Sequence, residues 1–246
     1  MTRRAVVEQV MGLPVSLHLD GPQAQSPATL QAVADVFALL HEADARFTTY
    51  RDDSEVMRLR DGRLDLADAS PDVHEVLRLC DLARERTGGL FDAYLPGADG
   101  RRVLDPSGLV KGWAAERAAA HLARLPGFDH YLNVGGDITG RVGVTGSPPW
   151  RVAVEDPAGG TAFLAILDLR SGAVATSGSA ARGPHIVDPH TGVRPSGLLA
   201  VTVTGPTLLW ADVFATAAFA RGGEDVAGWV AKRAPDYRVA ALARAP

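Results

Sequence analysis

The 246-residue sequence holds a single cysteine, no block of like charges, no internal repeat and no long uninterrupted apolar run. Each absence excludes something. One thiol, Cys80, cannot close an internal disulfide, and its apolar helical surroundings read as packing rather than chemistry. A membrane-spanning helix needs about 18 or more consecutive apolar residues, and no stretch supplies them. The opening "MTRRAVVEQVMGLPVSLHL" has two arginines but no signal-peptide core, because Glu8, Gln9, Gly12 and Pro14 interrupt it. A cytoplasmic protein without a membrane anchor is the expectation. A formal net charge of -4, with the arginines scattered, gives no reason to expect nucleic acid as a partner. Neither G-x-x-x-x-G-K-[ST] nor G-x-G-x-x-G occurs, so a P-loop and a dinucleotide-binding fingerprint are both excluded.

What is present is ordinary globular composition, 46% hydrophobic and 22% charged. The length suffices for one large domain or two intimate subdomains around a real core. "AVVEQV" and "PVSLHL" read as a bent strand or a strand pair. "SPATLQAVADVFALLHEADARF" starts with Ser26 as N-cap and Pro27 at the first helical position, then runs amphipathically. Residues 72–86 form a second helix ending at Gly88-Gly89, and "WAAERAAAHLARL" a third. The stretches "TTYRDDSEVMRLRDG" and "GLFDAYLPGADGRRVLDPSGLVKG" read as turns without elements of their own. Strands dominate later, in "HYLNVGGDITGRVG", "WRVAVEDP", "FLAILDL", "AVATSG" and "LLAVTVTG". The apolar helix "LLWADVFATAAFAR", a further helix and a short strand close the chain. The pattern predicts an α+β fold over residues 1–246, helix-rich over about 1–127 and strand-rich over about 128–246.

Several stretches carry chemistry. Asp212 and Thr216 lie four apart on the late apolar helix, hence on one face about one turn apart. Both present oxygen, the ligand type that Mg²⁺ prefers. Taken alone, the plainer reading prevails: Asp212 favoured by the helix dipole, Thr216 bonded to a backbone carbonyl behind it. "GPHIVDPHTGVRPSG" gathers His185, Asp188, Gly and Pro into a loop, and a histidine there can act as acid, base or donor near neutral pH. Its plainer reading is a turn with a satisfied polar residue. Thr176, Ser177 and Gly178 at a strand end offer hydroxyls and backbone N–H groups suited to phosphate or ribose oxygens. Lys111 stands between glycines just before a helix, a position that suggests phosphate binding. "NVGGDITG", with Asn133 and Asp137, is by itself a hairpin signal.

In combination these stretches resemble the ApbE family of FAD:protein FMN transferases. The resemblance rests on ordered blocks covering nearly the whole chain. They are "MG" at 11–12, "FTTYRDDSEVMRLR" at 47–60, "TGGLFDA" at 87–93, "DPSGLVKGWAAERAA" at 105–119, "YLNVGGDI" at 131–138, "WRVAVEDP" at 150–157, "VATSGSAARG" at 174–183, "HIVDPHTGVRP" at 185–195 and "ADVFATAAFARG" at 211–222. The resemblance implies helices plus a mostly antiparallel sheet in two intimate subdomains. It implies transfer of FMN from FAD to a Thr or Ser hydroxyl of an acceptor flavoprotein, with release of AMP. Mg²⁺ would sit on Asp212, Thr216 and the backbone carbonyl of Gly108. Met11, Tyr50 and Glu116 match positions near the adenosine half of FAD; Glu116 replaces the family's usual Asp. Thr176, Ser177 and Gly178 would line the flavin and phosphate side. His185 would accept the hydroxyl proton or stabilise phosphoryl oxygens. Lys111 would hold the loop or a phosphate, an ion pair with a buried acid being the alternative. An FAD pyrophosphatase and a non-catalytic FAD-binding protein are the other functions compatible with such a site. The chain departs from the family at "YLPGADGRR" and at Asp105-Pro106-Ser107.

Overall fold

The computed structural model describes residues 2–96, 100–159, 162–179 and 186–244. Strands β1 (Arg3–Val10) and β2 (Leu13–Asp20) pair antiparallel from Arg3 with Asp20 to Val10 with Leu13. Their turn, Met11-Gly12, has φ of 56° and 69°, the backbone that a two-residue hairpin needs to match strand twist. Helix α1 (Pro27–Phe47) follows; Ser26 accepts a hydrogen bond from Thr29 N–H at 3.3 Å, and Val36, Phe37 and Leu40 go into the core. After α2 (Glu55–Arg60) and a 3₁₀ turn at Leu66–Asp68, α3 (Pro71–Thr87) ends on Gly88 at φ 67°, a left-handed cap that favours glycine. Short strands β3 (Tyr94–Pro96) and β4 (Arg102–Leu104) pair with each other, and α4 (Ser107–Ala123) returns to the core.

The second half adds β5 (Asp129–Val134), β6 (Asp137–Arg141), β7 (Trp150–Glu155), β8 (Phe163–Leu169), β9 (Ser171–Gly178) and β10 (Leu198–Gly205). Helices α5 (Leu208–Arg221) and α6 (Val226–Arg233) then precede β11 (Arg238–Arg244). Seven strands form one sheet in the order β1-β2-β5-β6-β9-β10-β11, every neighbouring pair antiparallel. The architecture is α+β with a mostly antiparallel sheet, as the strand and helix patterns predict.

Alternation along the strands decides what each face buries. Val15, Leu17, Leu132, Val134, Ala173, Ala175, Val201 and Val203 belong to the main core with α1, α4 and α5. On the opposite side, Ile138 and Val174 join Val152 and Leu169 of the β7–β8 hairpin in a smaller cluster. β9 is thus covered on both faces, which explains its continuous small apolar run from Gly172 to Ala175. Cys80 is buried, and burial pushes its thiol up to about 12, which fits a packing role. Among the described residues no helix is long and apolar enough to cross a membrane.

Three expectations are corrected. "TTYRDDSEVMRLRDG" contains α2, started by Ser54, whose hydroxyl accepts from Met57 N–H at 3.1 Å. The stretch before the third helix contains β3 and β4. Most consequentially, that helix begins at Ser107, so Lys111 lies inside it rather than ahead of it. Asp105 accepts from Ser107 N–H at 3.0 Å, and Pro106 O accepts from Leu109 and Val110, so the first turn forms despite Gly108.

Candidate active site

Gly112 sets the distance between α4 and α5. A Cβ there would stand 2.9 Å from the Leu209 Cα and 3.2 Å from its nitrogen, so only glycine admits this approach. The closeness brings Lys111 to Asp212: Nζ lies 3.3 Å from Asp212 Oδ2. The same ammonium is ion-paired with Asp137 Oδ2. Asp137 opens β6 directly after the Gly135-Gly136 turn and pairs with Val134 across the hairpin, so its carboxyl is directed toward the helix layer. Its other oxygen accepts the Thr176 N–H at 2.9 Å. The side chains of Asp137, Asp212 and Lys111 are only 3%, 5% and 14% exposed, a setting in which charge interactions weigh more than at the surface. One turn beyond Asp212, the Thr216 hydroxyl meets the Ser177 hydroxyl at 2.9 Å.

These groups open into a cavity of about 1030 Å³. Phe91, Gly108, Asn133, Ser177, Asp212 and Thr216 line it on one side, with residues 152–157 of and after β7 and Ile186, Val187, Pro189 and Gly192 also in its lining. The last of these segments is anchored by His190, whose ring Nε2 is 3.1 Å from Gly88 O. The described lining carries six carboxylates, Asp92, Asp105, Asp137, Glu155, Asp156 and Asp212, against one cation, Lys111. Asp92 is offset from outside by Arg84 and Arg102. A polyanionic ligand would therefore be repelled unless a cation accompanied it. The oxygens of Asp212, Thr216 and the Gly108 carbonyl are hard donors of the kind a small divalent cation takes, alongside water and ligand oxygens. Among the described residues no group of three or more His, Cys, Asp or Glu is gathered for a metal.

Of the residues singled out from the sequence, Gly108, Lys111, Thr176, Ser177, Gly178, Asp212 and Thr216 all line this cavity. His185 lies outside the described residues. Met11, Tyr50 and Glu116 are not brought to the described lining. Met11 forms the β1–β2 turn, its N–H donating to Asp44 Oδ2 at 3.0 Å while its side chain packs on the main core. Tyr50 is 96% exposed. Glu116 sits one turn after Gly112 and accepts from Leu209 N–H at 3.4 Å and from the Thr207 side chain, so it ties α4 to the start of α5. Burial pushes its carboxyl above the ordinary range, with those two hydrogen bonds partly opposing the shift. Of the hydroxyl and backbone N–H that Thr176 offers, the hydroxyl bonds the Thr202 hydroxyl at 2.9 Å and the N–H donates to Asp137 at the site. Asp137, read from the sequence only as part of a hairpin signal, is the residue whose place at the site went unrecognised. The available signal was an acid placed immediately after a Gly-Gly turn between two buried strands.

An antiparallel sheet backed by helices, with an oxygen-lined cavity against α4 and α5, defines an α+β fold with a candidate ligand site. The ApbE family profile matches residues 11–99 and 96–241, and the chain belongs to that family. A relative named FAD:protein FMN transferase from Escherichia coli K12 is 38% identical over 137 residues, covering 49% of this chain and 37% of the relative. One of the same name from Vibrio cholerae is 26% identical over 264 residues, covering 84% and 78%. The alignment thus spans well under half of the Escherichia coli relative's length. Among solved structures, the ApbE protein of Thermotoga maritima superposes with a TM-score of 0.80 at 19% identity, over 99% of this chain and 97% of that one. The apo flavinyl transferase ApbE of Pseudomonas stutzeri gives 0.75 at 23% identity, over 93% and 87%. At these identities the structural likeness establishes the fold.

Proposed function

We propose that this chain is a flavin transferase that moves FMN from FAD to a Thr or Ser hydroxyl of an acceptor flavoprotein, releasing AMP, in a reaction dependent on Mg²⁺. The observation that carries this reading is the convergence of Asp212, Thr216, Gly108 and Lys111 on one cavity, in a chain whose relatives bear the transferase name. The same reading takes residues 1–246 as one domain and the protein as cytoplasmic.

Asp212 would supply a carboxylate, Thr216 a hydroxyl and Gly108 a carbonyl to Mg²⁺, which when bound neutralises charge on the FAD diphosphate. The six carboxylates of the described lining make such a counter-charge necessary for a diphosphate to enter. Lys111, ion-paired from two sides, would bring its ammonium next to the same point and orient phosphate oxygens. The Ser177–Thr216 hydroxyl pair fixes β9 against α5 and so keeps the Thr216 oxygen aimed into the cavity. The acceptor hydroxyl proton falls to His185, the histidine that the family's loop block provides.

The test is to incubate the protein with FAD, Mg²⁺ and a candidate acceptor flavoprotein, then follow acceptor mass and nucleotide products. A covalent FMN adduct with matching AMP is expected. Formation of FMN and AMP at the full rate without acceptor would make the protein an FAD pyrophosphatase instead. Bound but intact FAD after prolonged incubation would make it a binding protein. Either result overturns the transferase proposal.

A further inference from the structure

One lysine in this cavity is shared by two buried acids, and the two are not equivalent. Asp137 is the nearer partner of Lys111 Nζ, while Asp212 Oδ2 stands at 3.3 Å. Asp137 is also held from a second side. It follows the Gly135-Gly136 turn, with φ of 60° and 101°, and its second oxygen is engaged by the Thr176 N–H. The lysine reaches it from α4 on a flexible four-carbon stem, so the ammonium adapts to the carboxylate rather than the reverse. An ammonium drawn fully onto Asp212 would cancel the charge that a metal requires there.

We infer that Asp137 is a positioning residue: it draws the Lys111 ammonium off Asp212 and so leaves the Asp212 carboxylate able to bind a divalent cation. The inference rests on the metal role proposed for Asp212. With both acids ionised, the Asp137 charge offsets that of Lys111, so these three groups draw an incoming cation more strongly than Lys111 and Asp212 alone would. Without the Asp137 charge, Lys111 and Asp212 neutralise each other and the cation must displace an ammonium from its only acid among the three. Asp137 thereby sets metal affinity without touching the metal, a role that its hydrogen bond to Thr176 alone would not confer.

The experiment titrates the purified protein with Mn²⁺ in the absence of FAD, reading free Mn²⁺ by electron paramagnetic resonance, in wild type, Asp137→Asn, Lys111→Met/Asp137→Asn and Asp212→Ala. The Asn side chain keeps an oxygen for the Thr176 N–H and replaces the charged oxygen that faces Lys111 with an amide NH₂. Asp137→Asn is expected to bind Mn²⁺ about tenfold more weakly, a coupling of about 1.4 kcal/mol, within the range for contacting residues. The double variant restores the single negative charge on Asp212 and returns affinity to near wild type. A merely structural Asp137 would leave the double variant as weak as the single one, and that result, or unchanged affinity in Asp137→Asn, overturns the inference. Should Asp137→Asn not fold, Lys111→Met alone must bind Mn²⁺ at least as tightly as wild type, and weaker binding refutes the idea. Equal binding by wild type and Asp212→Ala removes the metal site itself and with it the inference. A wild type that binds Mn²⁺ through Asp212 yet leaves FAD unchanged separates failure of the proposed activity from failure of the charge relay.

Discussion

Gly112→Ala puts the helix contact behind the site to a quantitative test. The added methyl would fall 2.9 Å from Leu209 Cα, 3.2 Å from Leu209 N and 3.3 Å from Leu208 O. All three are backbone atoms of α5 or the turn entering it, so no rotamer change relieves the contact. Ordinary carbon–carbon contact is about 3.5 Å or more, so α4 and α5 must separate by roughly half an ångström. Alanine is the better helix former by about 1 kcal/mol, which opposes the loss. Overpacking of this kind costs about 1–3 kcal/mol, and because the obstacle is backbone, the upper part of that range applies. The net effect is a destabilisation of about 1–2 kcal/mol, or a Tm lowered by about 3–6 °C for a chain of this size. The same displacement stretches the Glu116–Leu209 hydrogen bond, already 3.4 Å, and moves Asp212 away from Lys111. Calorimetric unfolding of the variant measures the first effect, and Mn²⁺ titration the second. A Tm equal to or above wild type would show that the two helices are not held at the distance described.

Other outcomes follow from the same structure. Asp212→Ala should reduce FAD turnover to background, since Asp212 is the only charged residue among the proposed metal ligands; Thr216→Ala should chiefly raise the Mg²⁺ concentration needed. Wild-type turnover by Asp212→Ala at limiting Mg²⁺ would refute the assignment. His130 is buried, and desolvation first, then Arg141, lowers its pKa from 6.5 to about 4. The unfolded chain therefore binds the extra proton between these values, so stability is lost as pH falls from 6.5 through 4. The loss is about 3 kcal/mol, which His130→Gln should remove from the pH profile of urea unfolding. Asp129 Oδ1 accepts from both Gly143 N–H and Val144 N–H at 2.7 Å, so Asp129→Ala strands two amides and should cost about 2–3 kcal/mol in the same assay.

Much of this fold is legible where local chemistry decides it. Ser26-Pro27 announces α1, Gly88 ends α3, and the apolar helix after Pro206 runs as its composition predicts. The elements that escape a sequence reading are those too short for a period to show, the six-residue α2 and the three-residue strands β3 and β4. In α4, the low helix propensity of Gly108 and Gly112 hid the first turns, although tertiary packing against Leu209 requires one of those glycines. The site was legible as a set of residue types, because Asp212 and Thr216 share a helix and spacing places them together. Its wiring was not. Asp137 meets Lys111 only because the β5–β6 register directs it toward the helix layer, and Thr176 spends its hydroxyl on Thr202 because β9 and β10 place those residues opposite one another. Contacts made across elements carry no periodic trace in the chain.

One part of the cavity lining rests on a separate footing. Among the described residues the β7–β8 hairpin pairs only with itself, and its buried apolar anchors number three, Val152, Val154 and Leu169, of which Val152 and Leu169 are set against Ile138 and Val174 of the sheet. Local opening free energy follows such apolar support, so amide exchange in β7 and β8 should outrun that of β9 and β10. The cavity floor, built on α4, α5 and the central strands, stays at full protection meanwhile. A bulky dinucleotide or an incoming protein loop would thus be admitted by loosening this hairpin, while the groups proposed to hold phosphate and metal keep their places.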